Sequence, residues 1–411
     1  MKSEALVVDE SISLEEAMER IRRCPPVQEV ETVEVSAALR RILAEDVCAG
    51  VAVPAHDSAA MDGYAFLFAD LAEDRRMRVH GRVAAGHALR GPLLRGTAAR
   101  IFTGAAMPQG ADTVAPQESC LVEDDSVQIP ADLKRGANRR FAGDDVAAGS
   151  TVLTHGTRLR PQDIGMATGV GRTTLQVRRR IRAGVIATGD ELRPPGLPLP
   201  VGCIYDTNRH TLLAALRGLD ADVTDYGIVP DDKESIKAAM TTAARTNDLI
   251  ISTGGVSAGE EDHVRTALLE VGSLDFWKLP LKPGRPVAVG KVAGVPFVGL
   301  PGNPVSAMVT FWLVGRPFAL QLMGATTAEP TRFTVTAAFH HKHLVGRREM
   351  LRARLCVGVD GQVIAETYRS TGSGMLSSLT WSDGLVEIPV DAGDVTEGDL
   401  VTYIPYHSLD L

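Results

Sequence analysis

Three stretches place carboxylates directly after apolar, β-branched runs: Thr188-Gly189-Asp190-Glu191, Pro230-Asp231-Asp232, and Ser252-Thr253-Gly254-Gly255 running on to Glu260, Glu261 and Asp262. Carboxylates gathered beside a phosphate-sized space suit a hard divalent cation. Mg²⁺ takes one or two of them and completes its shell with water and substrate oxygens. Each loop also has a plainer reading. Asp231, with Glu234 three residues on, has the spacing of a helix cap. Glycines after strands serve turns, and the spacing here is neither GxGxxG nor GxxxxGK[ST].

A second constellation is cationic. Lys278-Leu279-Pro280-Leu281-Lys282-Pro283-Gly284-Arg285-Pro286 sets three positive groups on a segment stiffened by three prolines. Fixed φ angles leave such a loop little entropy to lose on binding an anion; the alternative is a solvated turn whose charges serve solubility. Leu300-Pro301-Gly302-Asn303-Pro304-Val305-Ser306 leads from a strand into a helix, either as an anion seat of free N–H groups or as a rigid turn. Arg347, Arg348 and Arg352, with Ser373 inside Gly372-Ser373-Gly374, form a looser group that reads first as surface charge. His340-His341-Lys342-His343 reads as a solvated strand end rather than a metal tract, because adjacent strand residues face opposite sides. Arg178-Arg179-Arg180 with Arg182 reads as the polar lead-in to a strand. Neither GxSxG nor a thiol in a marked context is present.

These residues need elements to position them. From Ile181, strand and helix patterns alternate: Val185 to Gly189, then Leu212/Leu216/Leu219, Val223 to Val229, Ile236/Ala239/Met240/Ala243, Leu249 to Gly255, Pro286 to Val292, Val295 to Leu300, and a long helix after Pro304. That order predicts a doubly wound, mostly parallel α/β domain over 181–328, with ligands held beyond the carboxyl ends of its strands. Residues 49–145 carry short alternating segments cut by Gly and Pro, predicting a small inserted β domain. Five short strands after residue 329 predict a C-terminal β-barrel over 329–411. Residues 1–48 with 146–180 are expected to form an elongated helical and mixed N-terminal domain. Within it Ser13 and Glu16 cap one helix, and Ser36 opens a second containing Leu39, Ile42 and Leu43.

The chain has 411 residues, a net charge of −8 and 45% hydrophobic content, which excludes disordered and fibrous classes. A mildly acidic chain is an unpromising duplex-DNA binder. The longest apolar stretch, Met308 to Met323, is interrupted by Arg316 and Pro317, so it reads as a buried helix and not a membrane span. Five scattered cysteines form neither a CxxC knuckle nor a disulfide framework. With an acidic start that lacks a secretory pattern, a cytoplasmic protein is expected.

Taken in order, Met61-Asp62-Gly63-Tyr64-Ala65, Thr103-Gly104-Ala105, Gly143-Asp144-Asp145, Thr188 to Leu192, Tyr205-Asp206-Thr207-Asn208, Ser252-Thr253-Gly254-Gly255-Val256-Ser257 with Asp262, Phe276-Trp277-Lys278, Lys282-Pro283-Gly284 and Leu300 to Pro304 resemble the molybdopterin molybdenumtransferases. These are the bacterial MoeA proteins and the E domain of gephyrin, and the resemblance spans essentially the whole chain. It implies insertion of molybdenum from molybdate into adenylylated molybdopterin, with release of AMP and assistance from Mg²⁺ or another divalent cation. By that resemblance Asp62, Glu191, Asp262, Lys278 and Lys282 are catalytic, and Glu191, Asp231 and Asp262 hold the metal. Thr103, Arg140, Asp145, Thr188, Gly189, Asp231, Ser252, Gly254, Gly255, Ser257, Arg285, Pro301, Asn303 and Pro304 bind substrate, and Arg347 and Ser373 bind molybdate. A homodimer follows, with Asp62, Thr103, Arg140 and Asp145 facing the partner's α/β domain. A molybdopterin adenylyltransferase and other cofactor-biosynthesis proteins are the expected partners, with neither nucleic acid nor membrane.

Departures from the family pattern are Arg285 where lysine is common, Asp144 where glutamate is common, and His56, Ser58 and Ala59 ahead of Met61. Arginine for lysine keeps the charge but turns a point into a planar fork. Two other readings compete. One is adenylylation of molybdopterin or a related nucleotide pyrophosphatase, which has no evident use for Asp62, Thr103 or Ser373. The other is a non-catalytic cofactor carrier or scaffold, against which stands the full set of acidic and basic groups.

Overall fold

Successive residues of a strand face opposite sides, and between Ile181 and Leu300 both sides are apolar, so this sheet must be covered twice. The computed structural model describes residues 11–255, 263–358 and 361–409. In it β1 (Arg182–Thr188), β2 (Asp222–Val229), β3 (Leu249–Thr253), β4 (Gly272–Lys278), β5 (Pro286–Val292) and β6 (Val295–Leu300) form one sheet in the order β2-β1-β3-β6-β5-β4. The first four in that order are parallel, and β5 and β4 follow antiparallel. Val185, Ile251 and Val298 pack on one face with Leu212 and Leu216 of α1 (Asn208–Gly218). Ile186, Ile250 and Phe297 pack on the other with Ile236 and Met240 of α2 (Lys233–Ala244) and Val264 and Leu268 of α3 (His263–Val271). Truncating a fully buried residue of this kind, such as Ile250→Ala, costs about 2–5 kcal/mol.

The helix after Asn303 comprises α4 (Pro304–Thr310), a π turn (Phe311–Gly315) and α5 (Arg316–Met323). Proline inside a helix lacks an N–H and crowds the preceding turn, and the widened turn just before Pro317 accommodates it. The helix is long and apolar enough to cross a membrane, yet 94% of its most apolar window is buried inside the protein. It is the core helix expected.

Five strands, β7 (Phe333–Ala337), β8 (Arg348–Val357), β9 (Val363–Thr367), β10 (Gly384–Ile388) and β11 (Leu400–Pro405), close on themselves through the pairs β8-β9, β9-β7, β7-β11, β11-β10 and β10-β8. The barrel matches the five segments read from the sequence. Closure removes the exposed edges that a five-stranded sheet would present.

The small β domain is a six-stranded sheet with apolar clusters on both sides. The chain leaves for it and returns beside Val53 and Val146, which pair with each other. The helix capped by Ser13 exists as Leu14–Arg22, with the Glu16 N–H donating to Ser13 Oγ at 3.1 Å. Its Leu14, Ala17 and Ile21 belong to the large apolar cluster of the α/β domain, which also takes in Ile42. The helix expected from Ser36 is absent. Only a short 3₁₀ turn, Val35–Ala37, forms, because Arg40 takes φ +67° and Ile42 and Leu43 are drawn into bridges with Arg158 and Val177.

Candidate active site at the rim of the parallel sheet

Parallel strands all end on one rim, and the loops leaving β1, β2, β3 and β6 meet there. β1 ends at Thr188, and Gly189 follows with φ +148°; a Cβ there would stand 2.7 Å from Glu191 Oε2, so glycine lets that carboxylate fold back over the strand end. After β3, Gly254 has φ +89° and a Cβ on it would lie 2.0 Å from the Thr188 carbonyl oxygen. Two strand ends therefore touch through glycine backbone. Gly255 sits against Thr188 Oγ1 and, at 3.6 Å from its Cβ position, Asp231 Oδ1. Asn208, opening α1, donates to Thr253 Oγ1 at 3.0 Å and to the Gly302 carbonyl at 2.7 Å, tying a fourth loop in.

These loops enclose a crevice of about 450 Å³ lined by Thr188, Glu191, Gly254, Asn303 and Pro304, together with Tyr205 and Asn208. Gly374 and Leu376 of the barrel close one side. The Val305 N–H donates to the Ser373 carbonyl at 3.0 Å, so the barrel loop is fastened to the start of α4 and takes one of the donors read as an anion seat.

The cap of α2 is Asp232, whose carboxylate accepts the Ser235 N–H at 2.9 Å, and not Asp231 as the spacing suggested. Asp231 is thereby released. Among the described residues its Oδ1 is buried without a hydrogen-bond partner, as are Thr188 Oγ1 and Ser252 Oγ on the adjoining strand ends. Burial pushes the Asp231 carboxyl above its ordinary value against the pull of His263, and Asp190, Glu191 and Asp232 add to the rise. Buried polar atoms without partners are uncommon and costly. Three stand at one rim, two of them meeting at Gly255, and an oxygen-rich set of this kind suits a hard cation that draws the rest of its shell from water and substrate. Among the described residues no group of three or more His, Cys, Asp or Glu side chains could hold a metal ion.

The basic loop stands on the same rim. β4 ends at Lys278 opposite Pro286, where β5 begins, and β5 pairs antiparallel with β6, whose end opens the crevice. At about 4.8 Å per strand, Lys278 lies roughly 10 Å along the rim from β6. Leu281–Lys282 then adds to the barrel as a short strand beside Arg348–Glu349. Lys282 Nζ is 3.1 Å from Glu349 Oε2, and Arg285 is exposed. Acidic and basic groups therefore share one edge of the sheet, under the barrel.

Residues 12–171, 184–321 and 334–406 match, in that order, the families described as MoeA N-terminal region (domain I and II), probable molybdopterin binding domain, and MoeA C-terminal region (domain IV). A "Molybdopterin molybdenumtransferase" of Haemophilus influenzae is 35% identical over 97% of this chain and 99% of its own length. "Molybdopterin molybdenumtransferase 2" of Mycobacterium tuberculosis is 38% identical over 92% and 95%. The solved molybdopterin biosynthesis moeA protein of Pyrococcus horikoshii OT3 superposes with a TM-score of 0.82 at 28% identity, covering 97% of this chain and all of that one. The chain belongs to the MoeA family.

Of the residues read from the sequence, Thr188, Glu191, Gly254, Asn303 and Pro304 line the crevice of this MoeA chain, whereas Gly189, Asp231, Ser252, Gly255, Lys278, Lys282, Arg285 and Pro301 stand outside its lining. Ser257 and Asp262, with Val256, Glu260 and Glu261, lie outside the described residues. Asp62, Thr103, Arg140 and Asp145 are on or beside the small β domain, and none of them lines the crevice. There Asp62 Oδ1 accepts the Thr103 N–H at 2.8 Å and the Thr103 hydroxyl at 2.7 Å. Those two bonds hold the Asp62 carboxyl below its ordinary value. Arg140 and Asp145 are exposed. Arg347 is half-buried in the turn before β8 and does not line the crevice, whereas Ser373 abuts it through Gly374.

Two expectations about cations are corrected. Arg348 and Arg352 are not surface charges: Arg348 pairs with Glu15 and Glu387, and Arg352, 2% exposed, donates to the Ser370 carbonyl at 2.9 Å and the Gly372 carbonyl at 3.2 Å. Arg352 thus braces the loop carrying Ser373, a role invisible without the fold. His341 and His343 are not a solvated strand end, since both side chains turn onto Glu349. Arg179 and Arg182 pair with Asp248 as the lead-in reading implied. Tyr205 and Asn208 were missed as lining residues; the available signal was the polar run Tyr205-Asp206-Thr207-Asn208 directly before a helix.

Proposed function

We propose that this chain inserts molybdenum from molybdate into adenylylated molybdopterin and releases AMP. The observation that carries this is the shared rim: the acidic loops of Glu191 and Asp231 lie along one sheet edge from a rigid basic loop, and the barrel adjoins both the crevice and that loop. The substrate brings a nucleotide diphosphate linkage and a dithiolene, and the co-substrate is an oxyanion, so both signs of charge are needed side by side.

Glu191 and Asp231, with Asp262, would hold the divalent ion, which when bound neutralises charge on the phosphoryl oxygens. Thr188, Ser252, Gly254 and Gly255 orient the bound nucleotide through hydroxyls and close backbone approach. Pro301, Asn303 and Pro304 shape the floor, and Asn208 keeps that floor in register with β3. Lys278, Lys282 and Arg285 receive phosphate and molybdate, with Arg347 and Ser373 at the barrel side. Charges preset in this way need no reorganisation during reaction.

Asp62 and Thr103, with Arg140 and Asp145, complete the site from a second copy of the chain, which makes the working unit a homodimer. A molybdopterin adenylyltransferase supplies its substrate. All five cysteines are free, which fits a reducing, cytoplasmic setting.

The test is AMP release by the purified protein from adenylylated molybdopterin. Release should require both molybdate and a divalent ion. AMP formed at full rate without molybdate would make the chain a pyrophosphatase instead.

A further inference from the structure

We propose that Glu349 is the positioning residue of Lys282, setting where that ammonium stands on the rim. The inference rests on the reading that Lys282 serves the anionic substrates. Glu349, on β8, has a fully buried side chain. A buried carboxylate is tolerated only when paired and hydrogen-bonded. Oε2 lies 3.1 Å from Lys282 Nζ and 2.9 Å from His341 Nε2, while Oε1 accepts the Leu344 N–H at 2.9 Å and lies 3.4 Å from His343 Nδ1. Burial pushes the Glu349 carboxyl up, but the Leu344 N–H, Lys282 and His341 outweigh it and hold the group below its ordinary value.

The geometry gives each partner a distinct part. Lys282 is the cationic side chain that reaches Glu349 from the rim, so the geometry makes it the counter-ion. The backbone supports the match: Lys282 and Glu349 are direct partners in the parallel pairing of Leu281–Lys282 with Arg348–Glu349. His341 on one oxygen and the Leu344 N–H on the other fix the rotation of the carboxylate, and the His343 ring stands beside it. Lys282 itself is 35% exposed, so its chain runs from the open rim inward to the buried acid. An unpaired lysine there would sample many rotamers, and the ion pair selects one. His341, which no other part of the site uses, finds its role as a clamp on that selector.

Limited acetylation with acetic anhydride, read at Lys282 by mass spectrometry in the full-length protein, follows the pair directly, since only the free amine reacts. In Glu349→Gln the Lys282 acetylation rate should rise about tenfold, because the amine is released from its buried ion-pair partner. The KM for molybdate should rise by about the same factor, with a smaller change in kcat. Glu349→Asp should fall between wild type and Glu349→Gln on both readouts, and it carries the comparison if the glutamine variant does not fold. Unchanged acetylation in both variants would overturn the proposal, as would an unchanged KM for molybdate alongside an inactive Lys282→Ala. Full activity in Lys282→Ala would instead overturn the reading of Lys282 as a substrate contact, and would take this inference with it.

Discussion

Asp231 at the sheet rim keeps a buried oxygen without a partner and is pushed up by burial and by its acidic neighbours. Asp62 on the small β domain has one oxygen held twice by Thr103 and is pulled down. The first carboxylate bears the cost of its burial, which disfavours its ionised form. The second is a finished, rigid acceptor, ionised before any ligand comes. A site assembled from both would hold one part of high affinity for a cation and one part of fixed geometry, and in the proposed dimer the two come from different chains.

The largest effect is expected at Asp231. Asp231→Asn should lower molybdate-dependent AMP release by about a hundredfold or more, measured at saturating substrate. Its folded-state pKa is raised, so ionised Asp231 costs stability at neutral pH, and that cost disappears as pH falls through the raised value. The variant should therefore unfold at the same or a higher temperature than wild type, and Mg²⁺ should raise the unfolding temperature of wild type only. A variant that loses activity by unfolding would break the contrast.

Next comes a test of the two-chain arrangement. Asp62→Ala and Asp231→Asn should each be inactive alone. After subunit exchange in an equal mixture, half the dimers are mixed and each has one intact site, so about a quarter of wild-type activity should return. No recovery would place both carboxylates of a site in one chain.

A smaller change sharpens the Asp62 side. Thr103→Val removes the hydroxyl bond but leaves the N–H, and activity should fall about tenfold. Because Asp62 is held below its ordinary value, it stays ionised as pH drops until that lowered value is passed. Without the hydroxyl, the acid limb of the kcat/KM profile should move to higher pH.

The smallest effect on turnover belongs to the neighbour of Asp231. Asp232→Ala deletes the α2 cap and should lower the unfolding temperature by a few degrees while leaving activity within about twofold. Equal losses of activity at positions 231 and 232 would show that the division of labour between them is wrong.

Much of this arrangement was legible before any coordinates. Alternating strand and helix patterns between Ile181 and Leu300 announced a parallel sheet, and the Gly-containing loops after its strands announced where a ligand would sit. Leu212 and Leu216, or Ile236 and Met240, recur at helical spacing because they bury one face. The barrel strands were readable for a similar reason. The Ser36 segment misled because Leu39, Ile42 and Leu43 have helical spacing while Arg40 adopts a left-handed conformation that no helix contains.

What lay beyond reading was partnership between distant side chains. Asp231 has the spacing of a cap, and only the way β2 delivers the chain into α2, with extended backbone at Asp232, makes Asp232 the cap and leaves Asp231 out of it. Nothing local to His341, His343 or Glu349 reveals that they meet Lys282, because their meeting depends on a two-residue strand from the α/β domain joining the barrel. Hydrophobic periodicity is local, and it determined the strands, the helices and the rim of this protein. Ion pairs and unpartnered oxygens depend on which elements become neighbours, and that is settled only when the layers pack.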